Sequence, residues 1–394
     1  MVSESEIREL TDTRRFFHKI PELGFRERET ATAIATRLRE YGYSVRTGVA
    51  ETGVVGLLGE GESGPTILLR ADIDGLPIQE QNTCEYTSIH PGVMHACGHD
   101  GHIAIGLLVA KRLANVGSNL RGCVKFAFQP AEELLSGAQR MVDDGVMENP
   151  KVDAAFGLHL WNNLDVGTVG VVAGPMMASV DRFEIVVKGK GGHGAMPHQT
   201  VDAVLVASHV VTALQTIVSR NIDPLDSAVI TVGTIQGGSA FNVIAETATL
   251  TGTVRTFDRA THETIPASIE RVVAGQCQAL GANYDLHYQR LCQPTVNDPE
   301  MAKLARTAAS EVVGTENVVD TREARTTCGE DMSVFLNHVP GCYFFIGSRN
   351  RAKGLDRPHH SSGFDFDEAA LPIGVEILER ITTKYLGRAV SGVV

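Results

Sequence analysis

His95-Ala96-Cys97-Gly98-His99-Asp100-Gly101-His102 places three histidines, a cysteine and an aspartate within eight residues, immediately ahead of the apolar run 103–110. Cysteine thiolate and imidazole are the usual ligands of zinc and related divalent ions, and a Cys-x-His spacing on a turn lets both side chains reach one small volume. The same stretch also reads as a polar loop capping a buried helix, with Asp100 as the N-cap and His102 at the surface. The density of potential ligands favours a metal site.

Upstream of this stretch, residues 54–58 and 66–70 read as strands, the second ending on Ala71-Asp72-Ile73-Asp74-Gly75-Leu76-Pro77. Two aspartates thus leave a strand end together, where open α/β sheets place ligand sites. Turn chemistry around Asp74-Gly75 is the alternative reading. Further back, apolar positions at helical spacing predict helices over 4–19 and 27–41, stopped by Pro21 and Gly42.

Downstream, the helix opened by the cysteine-histidine stretch is expected to run to about 115. Residues 123–128 then return as a buried strand ending in Gln129-Pro130-Ala131-Glu132-Glu133. An apolar strand again delivers adjacent carboxylates, one able to bind metal while its neighbour moves a proton. Paired glutamates are otherwise common at a helix start, where the macrodipole favours them. A helix near 137–144 and a strand over 154–160 follow, the strand carrying His159 in an apolar setting. Taken alone, His159 reads as a core histidine.

The segment 181–290 changes character. Strand, helix, two strands, helix and strand give the order β-α-β-β-α-β of a ferredoxin-like unit. Its first helix carries one apolar stripe, Val204, Val211, Leu214 and Val218, suited to packing on one face of an antiparallel sheet. The α/β pattern then resumes with helices at 300–313 and 333–337 and a strand at 342–346. Pro358-His359-His360-Ser361-Ser362-Gly363-Phe364-Asp365-Phe366-Asp367-Glu368 leads into a closing helix to about 385. The expected organisation is a discontinuous catalytic domain, 1–180 with 291–394, interrupted by an inserted domain, 181–290.

With 394 residues, 43% hydrophobic and 21% charged, the chain can bury two cores. A net charge of −12 leaves no basic stripe to neutralise phosphates, which argues against a nucleic-acid partner and for a small substrate. Seven scattered cysteines suit a reducing compartment rather than a disulfide framework. The acidic start lacks a signal-peptide pattern, and the longest apolar runs fall far short of the ~20 residues of a membrane span. The expectation is a cytoplasmic protein with no membrane partner.

Together these motifs resemble the metal-dependent aminoacylase and carboxypeptidase family of metallopeptidases, in the branch holding hippurate hydrolases and plant indole-acetyl-amino-acid hydrolases. The resemblance spans the chain, from His18-Lys19-Ile20-Pro21-Glu22-Leu23-Gly24-Phe25 through Arg70 to Pro77, Cys97/His99 and Gln129 to Glu133, to His360. It implies an α/β, zinc-peptidase-like catalytic domain with a central mixed sheet flanked by helices, plus an inserted ferredoxin-like dimerisation domain. It also implies two divalent ions, zinc, manganese, cobalt or nickel, held by Cys97, His99, Glu133, His159 and His360. Glu132 would be the general base and Asp74 would orient a ligand. Five ligands do not fill two shells of four or more, so a ligand and a water must bridge, leaving a position for substrate.

The resemblance carries further roles to Gly191-Gly192-His193-Gly194-Ala195-Met196-Pro197-His198, whose His193 would reach a neighbouring subunit's site and stabilise the oxyanion. It assigns the substrate carboxylate to Asn242 and Arg255, a task for which a guanidinium fork is suited. Ala245 departs from the family pattern, which usually has proline after Asn-Val-Ile. The implied protein is a homodimeric amidohydrolase cleaving N-acyl or N-aroyl amino acids. A dipeptidase or carboxypeptidase with the same centre, and a non-catalytic metal-containing binding protein, are the alternatives. Whether His359 contributes beside His360 is open at this stage.

Overall fold

The computed structural model describes residues 1–59, 63–116 and 120–388. The chain forms two compact units, Met1–Met176 with Val296–Thr326 and Asp331–Val394, and Met177–Thr295 with Thr327–Glu330.

The first unit is built on an eight-stranded sheet. Its order is Ser44–Val49, Gly53–Leu58, Cys123–Gln129, Thr66–Asp72, Ala154–Asp165, Gly341–Arg349, Val169–Gly170, Val318–Val319. Thr66–Asp72 runs parallel to both Cys123–Gln129 and Ala154–Asp165, and Gly341–Arg349 runs parallel to Ala154–Asp165. The hairpin Ser44–Val49/Gly53–Leu58 joins antiparallel, so the sheet is mixed. Every residue of Thr66–Asp72 and Cys123–Gln129 is buried, the mark of central strands covered on both faces. Helix His99–Val116 is buried without a break from His99 to Ala110, and its Ile103 and Leu107 share one core with Leu69, Phe126, Phe128, Phe156 and Phe344. This is the expected central mixed sheet with flanking helices.

Two local expectations are corrected. Ser44–Val49 is a strand that the sequence reading left out, because its exposed, polar residues carry no apolar alternation. The strand expected to stop near Leu160 continues to Asp165, because its pairing with Gly341–Arg349 extends to Arg349 opposite Asp165. His159 therefore sits within the strand, opposite Phe345, rather than at its end.

The second unit holds a four-stranded antiparallel sheet in the order Ala228–Gly237, Thr247–Thr256, Val180–Lys188, Asn283–Cys292. Helices Ala203–Arg220 and Arg259–Ala279 complete the ferredoxin-like order. Phe183, Ile185 and Val187 alternate along their strand and pack with Val210, Leu214, Ile269 and Val273. Ala203–Arg220 is apolar and long enough for a membrane span, yet its Val206, Val210, Leu214 and Ile217 are buried in this core.

Candidate metal centre

The cysteine-histidine stretch becomes a turn entering a helix. Gly98 takes φ +87°, and helix His99–Val116 starts at the next residue. Asp100 is neither an N-cap nor a ligand. Its Oδ2 accepts from Arg14 Nε at 2.7 Å and from His18 Nδ1 at 2.8 Å, all three side chains being fully buried. This ties helix Glu4–Lys19 to the start of the metal-site helix.

Of the expected ligands, the two buried histidines each have their tautomer fixed by a carbonyl. His159 Nδ1 donates to Leu160 O at 2.6 Å, and His99 Nδ1 donates to Asp74 O at 2.9 Å. Carbonyls only accept, so both protons sit on Nδ1 and both Nε2 lone pairs are free to ligate. His159 Nε2 faces Cys97 Sγ at 3.5 Å, and His99 Nε2 is buried with no hydrogen-bond partner. Burial pushes His159 well below its ordinary range, keeping it neutral. Burial opposes charge on His99 too, but the carboxylates of Asp72 and Asp74 raise it to about 10. The carboxylates therefore favour positive charge on or beside this ring. Burial, with Glu133 and Glu132 nearby, pushes the Cys97 thiol up, so a positive ion is what its thiolate form would require.

Glu133 and His360 complete the cluster. Donor atoms of Cys97, His99 and His159, and separately those of Cys97, Glu133 and His360, lie within 4.8 Å of one another. Glu133 Oε1 and His360 Nε2 stand 3.2 Å apart without hydrogen-bond alignment, and Glu133 Oε1 is buried and unpartnered. His360 takes φ +63° and its N–H donates to Ala96 O at 2.8 Å, which fastens it to the loop that carries Cys97. The five donors, soft thiolate with imidazole and carboxylate, fit borderline divalent ions. His359 has a different setting: its Nε2 accepts the Asn162 N–H at 3.1 Å and its ring stacks on Trp161 at 4.8 Å.

Asp74 and Glu132 frame this cluster. Asp74 Oδ1 lies 3.2 Å from His99 Nδ1, and its Oδ2 accepts the Glu133 N–H at 3.1 Å. One aspartate thus holds two of the donor residues. A Glu132 oxygen lies within 4.8 Å of donor atoms of His99 and Glu133, and the side chain is buried. His102, one of the potential ligands of the stretch, is engaged elsewhere: its Nδ1 meets Asp72 Oδ1 at 2.5 Å while its Nε2 accepts the Leu160 N–H at 2.9 Å. With both nitrogens engaged, His102 is no ligand.

His193, Asn242 and Arg255 lie in the second unit. Gly192–His193 pairs antiparallel with Val243–Ile244, and the Gly194 N–H donates to Asn242 O at 2.8 Å, which brings His193 and Asn242 together. A Cβ on Gly192 would come within 2.6 Å of the Thr200 Cγ2 methyl, so a side chain there would have to displace Thr200. His193 Nδ1 accepts the Ala195 N–H at 3.1 Å, leaving Nε2 as the outward donor. Arg255 lies opposite Val229 on strand Thr247–Thr256, and burial lowers its guanidinium somewhat.

The family model described as peptidase family M20/M25/M40 matches residues 68–384. N-acyl-L-amino acid amidohydrolase of Geobacillus stearothermophilus is 44% identical over 308 residues, covering 76% of this chain and 83% of that protein. IAA-amino acid hydrolase ILR1-like 4 of Arabidopsis thaliana is 40% identical over 377 residues, 95% of this chain and 84% of that protein. The crystal structure of the Bacillus subtilis YXEP protein, titled a dinuclear metal binding peptidase from M20 family, superposes with a TM-score of 0.84 at 33% identity, covering 98% of this chain and 99% of that one. A family match across most of the chain, on a sheet that gathers cysteine, histidine and carboxylate donors at one place, leads to one conclusion: the chain belongs to peptidase family M20/M25/M40 and is a hydrolase of amide bonds.

Proposed function

We propose that this chain is a two-metal amidohydrolase that cleaves N-acyl or N-aroyl amino acids to a carboxylic acid and a free amino acid. The observation that carries the reading is the gathering of Cys97, His99, Glu133, His159 and His360 donor atoms beside the Glu132 carboxylate. Those five residues would hold two divalent ions, zinc, manganese, cobalt or nickel, which when bound supply Lewis acidity toward a water and the scissile carbonyl. Glu132 accepts the proton of the attacking water and passes it to the amide nitrogen as the C–N bond breaks. Asp74 fixes His99 and the Glu133 backbone, so the donors do not have to be ordered during turnover.

In this reading Arg255 and Asn242 bind the free carboxylate of the amino-acid product half, and His193, with Nε2 as donor, stabilises charge on the carbonyl oxygen. The inserted unit makes a homodimer in which His193 acts in the partner's site. Mixing inactive His193→Ala and inactive Glu132→Ala subunits tests this: recovery of activity supports it, and none counts against it. The substrate class is tested with N-acetyl, N-benzoyl and long-chain N-acyl amino acids beside dipeptides, after chelation and after each metal is restored. Metal-dependent cleavage of the acyl amino acids is the expected result. Cleavage of dipeptides alone would replace the reading with a dipeptidase, and binding without turnover would leave a binding protein.

A further inference from the structure

We propose that Glu27 is a positioning residue for Glu132, acting through the backbone of Ala131; this rests on Glu132 being the general base. The strand Cys123–Gln129 reaches the acid pair through Pro130 and Ala131, and Ala131 adopts the left-handed conformation, φ 52° and ψ 42°. The short turn Glu132–Leu134 that follows has no side-chain cap, and Leu135 beyond it is left-handed as well. A non-glycine residue stays in that region only when its surroundings hold it there.

Glu27 supplies that hold. Its Oε1 accepts the Ala131 N–H at 2.9 Å, and its Oε2 accepts the Thr52 hydroxyl at 2.5 Å. The side chain is wholly buried, and among the described residues no lysine, arginine or histidine forms an ion pair with it. Backbone packs closely around the same turn. A Cβ on Gly53 would stand 2.8 Å from Pro130 Cδ, one on Gly137 would stand 1.6 Å from Pro130 O, and one on Gly24 would stand 3.0 Å from Ala131 Cβ.

The arrangement separates two tasks. The Glu133 N–H is held by Asp74, and the Ala131 N–H, two residues earlier, is held by Glu27. Glu132 is therefore bracketed by two amides, each fixed by a different carboxyl group. Asp74 serves the metal donors, whereas Glu27 touches none of them and reaches the site only through the peptide that leads into Glu132. Burying a carboxyl with no cation beside it weakens the fold. Such a group at the back of the base is placed for geometry, and a misplacement of about 1 Å is enough to slow a reaction on the order of 100-fold.

The test is steady-state kinetics and metal analysis of Glu27→Met, Glu27→Gln, Thr52→Val and Glu132→Gln on the metal-loaded full chain. Glu27→Met should lower kcat by roughly 10- to 100-fold, with KM within about twofold and metal content unchanged. Glu27→Gln, which keeps an acceptor for the Ala131 N–H, should recover kcat to within about threefold of the parent. The proposal is overturned if Glu27→Met keeps the parent kcat, if its loss follows a matching loss of metal, or if Glu27→Gln is as slow as Glu27→Met. Should Glu27→Met not fold, Thr52→Val loosens the same carboxyl, and an unchanged kcat in that variant overturns the proposal. An inactive Glu132→Gln with a fully active Glu27→Met removes the Glu27 inference alone. An active Glu132→Gln removes the base assignment and this inference with it.

Discussion

His102 and Asp72 are joined by a 2.5 Å contact between Nδ1 and Oδ1, and neither group is free to do anything else. His102 Nε2 accepts the Leu160 N–H, while the second Asp72 oxygen accepts Arg70 Nη1 at 2.7 Å and lies 3.6 Å from His99 Nε2. Burial would raise the Asp72 carboxyl, but Arg70, His99 and His102 hold it well below the usual carboxylate range. A permanent negative charge is thereby kept under the proposed ligands.

Asp72→Asn removes that charge while keeping the shape. Its expected effect is a loss of metal affinity of about 10- to 100-fold, measured by competition with a chromophoric chelator. An unchanged affinity would reduce the Asp72 contact to packing.

Glu132→Gln retains volume and hydrogen bonding but takes no proton. Turnover should fall by about 100-fold or more with the metal stoichiometry intact. A variant that still turns over would hand the base role to another group.

Metal removal should also be visible in stability. Ligands that bind only the folded chain stabilise it by about 2.7 kcal/mol at a hundredfold excess over Kd. Chelation should therefore lower Tm, and Tm should climb again with added metal in a concentration-dependent way. A Tm indifferent to chelation would mean that Cys97, Glu133 and His360 are held by protein contacts alone.

Arg255→Ala tests recognition of the substrate carboxylate. A charge-assisted pair of about 1.5–3 kcal/mol predicts a rise in KM of roughly 10- to 100-fold for substrates with a free carboxylate. Amidated analogues should show no such rise, and an equal rise for both would remove Arg255 from that role.

Burial pushes the Glu27 carboxyl from an ordinary 4.5 up to about 7. Between those values the folded chain keeps a proton that the unfolded chain has lost. This contribution is therefore fully present below pH 4.5 and is lost as pH rises through about 7. Glu27→Gln has no such proton. Denaturant titrations should find the parent losing up to roughly 3 kcal/mol relative to Glu27→Gln across that window, whereas parallel profiles would contradict the raised value.

The parts of the fold legible in the sequence were those written in strong periodicity. Central strands such as Thr66–Asp72 and Cys123–Gln129 are short, mostly apolar runs interrupted by Arg70 and Lys125, and the ferredoxin-like unit announces itself by strand and helix order. Ser44–Val49 escaped because an edge strand with exposed side chains has no hydrophobic period to detect. The continuation of Ala154–Asp165 past Leu160 escaped because a partner almost two hundred residues away extends it.

In the site, the five proposed ligands were readable from residue type, spacing and family resemblance. Their supports were not. Glu27 looks like any surface glutamate at a helix start, and only the folded backbone of Ala131 gives it a partner. His102 reads in sequence as a potential ligand or, in a capping loop, as a surface residue, because sequence does not say which ring nitrogens Asp72 and Leu160 will take.

The position of Gly341–Arg349 inside the main sheet, between Ala154–Asp165 and Val169–Gly170, governs how the chain must be born. Until that late segment leaves the ribosome, the long apolar strand Ala154–Asp165 has an open edge. At translation rates of about 5–20 residues per second the exposure lasts on the order of 10–40 s, ample time for the whole inserted unit to be made and fold first. The nascent chain thus carries a finished small domain beside an unfinished large one, and its exposed strand is where a chaperone, or a neighbouring nascent chain, would take hold.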